Sequence, residues 1–402
     1  MSRPVEIVDY AILGGGMAGL TMAQALVPTL QPGERLAVVE PRKQYQHDRT
    51  FCYWDVAPIA ADTCVKHRWN KWLVRSGGKT TVAKSDKYSY SYVPGDAFYQ
   101  QAVSQIENSE QATLMMNKSA GTVKKTSYGR SHVTTSAGTL DAKWVLDTRP
   151  SPELVEAAET LQHFVGLHLR FDKPVFDPST ITLMDFDVSQ EHGLHFLYVL
   201  PFSETEALVE STFFSANVLS QETYENYIHD YLKERFGVTE SMLADAELVR
   251  MERGVVPMTP KCLAQPENPA WHKLGTPGGF VRPATGYCFH ATGRFALENQ
   301  VWLKRPFGTV PSIRSKALNW LDKVLLGYLN RAPAEAPDIF YSMFERVHPD
   351  ALVRFLSNVG TVSDTLAVML AMPVWPFVKE AVGQCFDFSP KLLKPSSGLR
   401  ED

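Results

Sequence analysis

The chain has 402 residues, of which 44% are hydrophobic and 21% charged, and its formal net charge is -4. That length exceeds one small core and sets two connected domains as the expectation, in a composition ordinary for a globular protein. The slight acidity, with no dense Lys/Arg stripe, excludes nucleic acid as a partner, and the 5 cysteines, with neither C-x-x-C nor zinc spacing, read as free thiols in a reducing cytoplasm.

The chain opens on an apolar strand, Tyr10 to Leu13, followed by Gly14-Gly15-Gly16-Met17-Ala18-Gly19, which fits G-x-G-x-x-G. Good helix formers run from Leu20 to Val27, and a second apolar strand, Leu36 to Val39, ends at the acid Glu40. This strand–turn–helix–strand order is what an adenine-dinucleotide site requires. Gly14 permits the tight turn, Gly16 lets backbone approach a pyrophosphate, and Gly19 lets the helix pack close to the strands. The helix start at Met17 and Ala18 offers unpaired N–H groups and partial positive charge to phosphates. Glu40, about 20 residues past the last glycine, suits a ribose diol. The short apolar N-terminal stretch does not read as a signal peptide, and no run reaches the ~20 apolar residues that cross a bilayer.

Arg49 and Thr50, close behind Glu40, suggest a loop lying along the cofactor, and the aromatic cluster Phe51-Cys52-Tyr53-Trp54 reads as core. Strands are predicted at Trp69 to Ser76, Lys79 to Lys84, Ala112 to Met116, Thr122 to Thr135 and Ala142 to Leu146, with a helix over Asp96 to Ile106. The run Trp144-Val145-Leu146-Asp147 should return to the parallel sheet begun at Tyr10, placing the acid Asp147 at the cofactor end. From Gln162 the pattern changes to successive strands, Phe164 to Phe171, Thr180 to Asp187, His195 to Leu200 and Ala207 to Phe213, as in an antiparallel substrate-binding sheet. A helix follows over Glu222 to Phe236, and Gly254 to Met258 opens a loop. The Gly/Pro-rich turn Gly278 to Tyr287, with Gly279, Thr285 and Gly286, can set backbone N–H groups beside a flavin ring or a pyrophosphate, and leads into a helix over Cys288 to Glu298. The rest, to about Val382, reads as apolar helices, and Pro390 to Asp402 as a frayed end.

His163, His168, His192 and His195 lie close in sequence but match no metal-ligand spacing, so no metal is expected. There is no G-x-S-x-G elbow or Cys/His signature for a nucleophile.

Several stretches resemble the flavin-dependent lycopene cyclases of the bacterial β-cyclase type. They are GGGMAG with Glu40, Arg49 to Trp54, Met184-Asp185-Phe186, Phe196 to Phe202, Ala207-Leu208-Val209-Glu210-Ser211-Thr212, Gly275 to Gly279 with Thr285-Gly286-Tyr287, Arg354-Phe355-Leu356 and Ala371-Met372-Pro373. The glycine motif is widely shared; the L-V-E-S-T block after Y-V-L-P-F is more specific. The resemblance implies an α/β fold: a Rossmann-like FAD-binding domain over 1–160 and 254–310, an antiparallel-sheet substrate domain over 161–253, and a C-terminal helical region over 311–402 that covers the substrate site. It implies a redox-neutral isomerase of carotenoid biosynthesis that closes the ends of lycopene into β rings, using reduced FAD with NAD(P)H as the electron source. Glu210 aligns with the family's catalytic acid, and Asp185 is a second candidate, as partner or base. Ser211 stands where an Asp is commoner, Asp147-Thr148-Arg149-Pro150 replaces D-x-R-G, and Arg282 sits where His or Lys is common.

A lipophilic substrate also implies peripheral contact with the inner face of a membrane, for which Trp375-Pro376-Phe377 is a candidate. The rivals are an FAD-dependent monooxygenase or halogenase of the same fold, although no W-x-W-x-I-P signature is present, a cyclase of another polyene or prenylated compound, and a non-catalytic carotenoid-binding flavoprotein.

Overall fold

A computed structural model describes residues 5–373 and Phe377. Strand Val5–Leu13 pairs in parallel with Leu36–Glu40 on one side and Thr139–Asp147 on the other, so that Leu13, Val39 and Asp147 end abreast. Ala112–Met116 extends the parallel set beyond Leu36–Glu40. Parallel strands need both faces covered, which is why these read as unbroken apolar runs. Ile12 and Val38 pack with Leu20 of helix Met17–Leu26 and with Phe98 and Tyr99 of helix Gly95–Glu107, while Ala11, Leu13, Ala37 and Val39 form a separate core on the reverse face. Ser131–Thr135 and Ala120–Lys125 finish this sheet antiparallel, and Trp271–Lys273 returns to pair with Val145, Leu146 and Asp147.

The second sheet has seven strands in the order Glu247–Met258, Thr160–Arg170, Glu206–Ser215, Leu194–Pro201, Ile181–Asp185, Lys71–Ser76, Lys79–Lys84. Two of these differ from the sequence reading. The hairpin Lys71–Lys84, expected within the cofactor domain, joins the second sheet by a parallel pairing of Lys71–Ser76 with Ile181–Asp185. The expected loop at Gly254 is instead the end of a 12-residue strand, Glu247–Met258, paired along all of Thr160–Arg170. The sheet is therefore mixed, and the two halves of the chain interleave more than a cut at 160 suggests. A small sheet of Thr50–Trp54, Tyr90–Pro94 and His67–Trp69 lies between them in the chain.

The pleat of the second sheet gives each strand two uses. Val165, Leu167, Val199, Val209 and Phe213 pack under helix Gln221–Phe236. That helix begins at Ser220, whose hydroxyl accepts from the Thr223 N–H, and ends at Gly237 with φ 66°. On the opposite face Leu183, Phe196, Leu208 and Phe214 share a core with Phe340, Phe344, Leu352 and Leu356, which belong to helices Ala336–Arg346 and Pro349–Leu356.

Arg282 fastens these helices to the Gly/Pro-rich turn. Its side chain is 1% exposed, donates to both carboxylate oxygens of Asp322 at 3.0–3.2 Å, and reaches the carbonyls of Phe355 at 2.7 Å and Leu356 at 3.0 Å. Its guanidinium also lies 4.8 Å from the centre of the Phe355 ring. A lysine, with a compact point charge, could not fill this fork of acceptors. Asp322→Ala, which strands a buried guanidinium, is expected to lower unfolding free energy by about 3–5 kcal/mol, measured by urea denaturation; a loss near zero would refute the clamp.

Candidate functional site

The glycine turn has the predicted geometry. Gly14 takes φ +94°, and a Cβ at Gly19 would overlap the Gly14 carbonyl oxygen, so only glycine lets the helix close onto the turn. Gly16 caps helix Met17–Leu26 with no side-chain capping bond, and nothing lies within 4 Å of where its Cβ would project. The N–H groups at Met17 and Ala18 thus begin a helix beside open space.

Glu40 is buried at the end of its strand but already engaged. Its Oε2 accepts from the Gly15 N–H at 2.8 Å, and Oε1 accepts from the backbone N–H and Nε of Arg42 at 2.8 and 2.9 Å. Arg42 Nη2 and the Tyr45 hydroxyl both donate to the Gly15 carbonyl, at 3.0 and 2.9 Å. Glu40 therefore braces the turn itself, a role not read from the sequence.

Asp147 is bound bidentately by Arg149, at 2.8 and 2.6 Å, and accepts from the Trp271 indole at 3.3 Å. Its neighbour Thr148 is the residue that touches the glycine turn, donating to the Leu13 and Gly14 carbonyls at 3.1 and 3.0 Å. At Gly275 a Cβ would lie 2.9 Å from the Ala18 Cβ, so the Gly/Pro-rich segment passes directly over the helix start. Gly279, with φ +78°, gives its carbonyl to Arg314 at 2.7 Å and lies on a separate cleft of about 510 Å³ with Lys261 and Cys262.

Thr285 and Gly286 instead reach another cavity, of about 390 Å³, where Arg49, Thr50 and Phe51 form another part of the wall. Gly286 has φ +68°, and a side chain there would collide with Gln162, whose buried Oε1 has no hydrogen-bond partner. The second sheet supplies Phe164, Phe196, Tyr198, Glu210, Thr212, Phe214 and Glu252, and the covering helices supply Phe340, Met343, Phe344 and Leu356.

Glu210 thus faces an apolar, aromatic-rich space. Its Oε1 accepts a 2.7 Å hydrogen bond from the Thr212 hydroxyl, one pleat away on the same strand face. Burial, reinforced by the negative charge of Glu252, pushes the Glu210 carboxyl well above the ordinary carboxylate range, against the smaller opposing effects of Thr212 and Arg250. Glu252 is ion-paired to Arg250 at 2.5 Å, and Arg250 also donates to the Thr50 hydroxyl. Neither Arg250 nor Glu252 stood out in the sequence. Their strand reads E-L-V-R-M-E-R-G, charged enough to pass for surface, and only alternation of Arg250, Glu252 and Gly254 onto one face signals otherwise.

Asp185 does not join Glu210. It pairs with Leu197, which in turn pairs with Ser211, so it belongs to the row next to Glu210 and points to the other side of the sheet. There it is fully buried, bonded by Arg75 at 3.0 Å and the Tyr231 hydroxyl at 2.9 Å, so the structure gives it a bracing contact with helix Gln221–Phe236 instead of a place at the cavity.

The same alternation explains Ser211. Its hydroxyl meets His195 Nε2 at 2.9 Å, and His195 Nδ1 meets the Ser189 carbonyl at 2.8 Å. Nδ1 must be the donor to a carbonyl, which leaves Nε2 to accept from Ser211. Burial pulls His195 down to about 4, so the ring is neutral and a neutral hydroxyl suits it. His163 is likewise pulled down to about 4 by burial, between Tyr224 at 2.6 Å and Ser215 at 2.8 Å. His168 meets Glu206 at 2.7 Å, and His192 lies 3.4 Å from Glu191. His163, His192 and His195 all lie against the Phe213 ring, with His168 apart from them, and among the described residues no three His, Cys, Asp or Glu side chains converge as a metal site.

Among the described residues no helix is long and apolar enough to cross a membrane. Trp375 and Pro376 of the candidate membrane contact, and the 390–402 tail, lie outside the described residues.

A glycine turn at the head of a parallel sheet, joined to a second sheet roofed by helices over an apolar cavity, defines the Rossmann-like α/β fold of FAD-dependent oxidoreductases. The structure is similar to a geranylgeranyl bacteriochlorophyll reductase-like protein from Thermoplasma acidophilum, with TM-score 0.58 at 15% identity over 96% of this chain and 100% of that one. It is also similar to a flavoprotein/dehydrogenase from Cytophaga hutchinsonii, with TM-score 0.57 at 12% identity over 94% and 100% of the two chains, and to a flavin-dependent brominase, with TM-score 0.56 at 12% identity over 95% and 99%. Within that class the chain belongs to the lycopene cyclase family, whose model, described as "Lycopene cyclase protein", matches residues 9–382. It is 31% identical over 261 residues to a lycopene beta-cyclase of Paracoccus sp., a match covering 60% of this chain and 64% of that relative. It is 23% identical to a lycopene beta-cyclase of Pantoea ananas over 395 residues, 92% of this chain and 95% of the relative.

Ser211→Ala removes the donor to a buried imidazole without touching the cavity, and should cost about 1–3 kcal/mol of stability in urea denaturation; an unchanged midpoint would show that the His195 bond contributes nothing.

Proposed function

We propose that the protein is a lycopene β-cyclase that protonates the acyclic end of its substrate from Glu210 and returns an isomer. The observation that carries this reading is the placement of Glu210: a carboxyl with a single strong local donor, in an aromatic-lined cavity of a chain belonging to this family. The fold alone does not choose, because a flavin-dependent brominase shares it.

The residues fit FAD. Gly14, Gly16, Met17, Ala18 and Gly19 would hold the pyrophosphate, Glu40 the ribose once Arg42 yields a position on its carboxylate, and Thr285, Gly286, Arg49 and Thr50 the flavin end at the cavity. Gly279 and Asp147 support this site from behind, through Arg314 and through Arg149 beside Thr148. When bound, FAD reduced at the expense of NAD(P)H supplies negative charge beside a developing cation, with no net electron transfer to the substrate.

The chain's own part is acid–base work in a dry site. Glu210 must be protonated at neutral pH to give its proton to a terminal alkene, and its burial provides that. The tertiary cation so formed is attacked by the neighbouring double bond, closing a six-membered ring with a second cation. Loss of one ring proton then leaves a β end group, so the proton added equals the proton lost and the product is an isomer. Phe164, Phe196 and Phe214 offer aromatic faces to both cations, and the covering helices exclude water that would trap them. A cavity of about 390 Å³ encloses a drug-sized group, so it takes one end of a C40 chain at a time.

Four outcomes are expected. Expression in a lycopene-accumulating host should yield β-ring carotenes by chromatography, and unchanged lycopene would overturn the substrate. Glu210→Gln should lower cyclisation by about 10²–10⁴-fold while FAD stays bound; wild-type turnover would remove Glu210 from the mechanism. Because the acid form is the active one and its pKa is raised, activity should be full on the acid side and fall as pH rises through the Glu210 pKa. Chemically reduced FAD without oxygen should suffice, and a strict oxygen requirement would favour a monooxygenase.

A further inference from the structure

The row of the second sheet that carries Glu210 reads, across four strands, Tyr198, Glu210, Gly166, Glu252. Two carboxyl groups therefore stand on one sheet face, separated by a residue with no side chain. A Cβ at Gly166 would lie 3.3 Å from the Glu252 Cγ and 3.5 Å from the Glu210 Cβ, as well as 3.1 Å from Leu208. Glycine weakens a strand interior, and here its missing side chain makes room for the stems of the two acids and Leu208 to close over it.

The two acids are not equivalent. Glu252 is anchored by Arg250 Nη1 at 2.5 Å, and Arg250 is anchored in turn by Thr50. Glu210 has no cationic partner and accepts only from the neutral Thr212 hydroxyl. Two acids on one row of a sheet face resist ionising together, and Glu210 is the one without an arginine bound to it.

The other groups facing Glu210 do not alter that assignment. Tyr198 from the adjacent strand, Tyr90 from the small sheet and Cys52 beside them are all raised by burial, and Tyr287 of the Gly/Pro-rich turn is pushed up to about 12, so all stay neutral. The covering helices present Phe340, Met343, Phe344 and Leu356, and the remaining charged group on the cavity wall is Arg49.

We propose that Glu252 is a positioning residue for the reaction: its Arg250-anchored carboxylate, facing Glu210 across the bare Gly166, reserves the transferable proton for Glu210. The inference rests on the reading of Glu210 as the acid and adds what keeps that acid protonated.

The test is a pH titration of the purified FAD-loaded protein labelled with ¹³C at glutamate carboxyl carbons, followed by NMR. The resonance missing in Glu210→Gln assigns Glu210. In Glu252→Gln the Glu210 midpoint should fall by about one pH unit or more, since a like charge is lost, and the alkaline limb of cyclisation should move to lower pH in parallel. If Glu252→Gln does not fold, Glu252→Asp, whose carboxylate draws back from Gly166, should move the midpoint in the same direction by less. A folded variant with an unmoved Glu210 midpoint overturns the proposal. The titration reads protonation, not turnover, so it stands apart from the reading of Glu210 as acid, which fails if Glu210→Gln still cyclises.

Discussion

The pleat of strand Glu206–Ser215 governs the chemistry this molecule can do. Val209, Ser211 and Phe213 turn toward helix Gln221–Phe236, on the side where the strand histidines His163 and His195 are buried, while Leu208, Glu210, Thr212 and Phe214 turn to the opposite face, where the last three line the cavity. A one-residue slip would exchange the two sets, burying Glu210 beside His195 and exposing Ser211 to the cavity. The ten-residue pairing with Thr160–Arg170 and the eight-residue pairing with Leu194–Pro201 hold that register from both sides.

Around that strand the two large sheets contribute unlike things. The parallel sheet brings a glycine turn, a helix start and a braced acid to one edge, all short-range features that crowd Gly14 and Gly19 too tightly for any side chain. The second sheet brings a wall that is aromatic at Phe164, Phe196 and Phe214 and ionic only where Arg250 and Glu252 neutralise one another. Burying a paired ion is costly unless its hydrogen bonds are met, and Thr50 meets one of the donors of Arg250 while joining the ion pair to strand Thr50–Trp54.

What could be read from the sequence was local. The glycine turn, the return of Trp144 to Asp147 to the parallel sheet and the strand under Glu210 each declare themselves within about ten residues of periodicity. What was hidden depended on partners far away in the chain. Lys71–Ser76 alternates like any strand, and nothing within it says that its neighbour is Ile181–Asp185. Asp185 sits at a strand end as a candidate acid should, but its face is decided by its pairing with Leu197. The strand Glu247–Met258 was obscured by its own charges, and Glu252 acquires meaning only when Gly166 sets it opposite Glu210. Glu40 shows the same limit on a smaller scale: its spacing from the turn was plain, its grip on Gly15 was not.

Arg282 has a mechanical corollary. One guanidinium spans the segment that ends in Thr285 and Gly286, the middle of helix Lys316–Arg331 at Asp322, and the last carbonyls of helix Pro349–Leu356. The Gly/Pro-rich wall of the cavity and two of the helices beside it are therefore held by one buried cation, in addition to the Ser76–Asp338 and Ser85–Asp350 bonds that tie the covering helices to neighbouring segments. Lifting those helices from the turn means stripping a carboxylate and two carbonyls from one buried guanidinium at the same moment, so the cavity wall is expected to move as a unit or not at all.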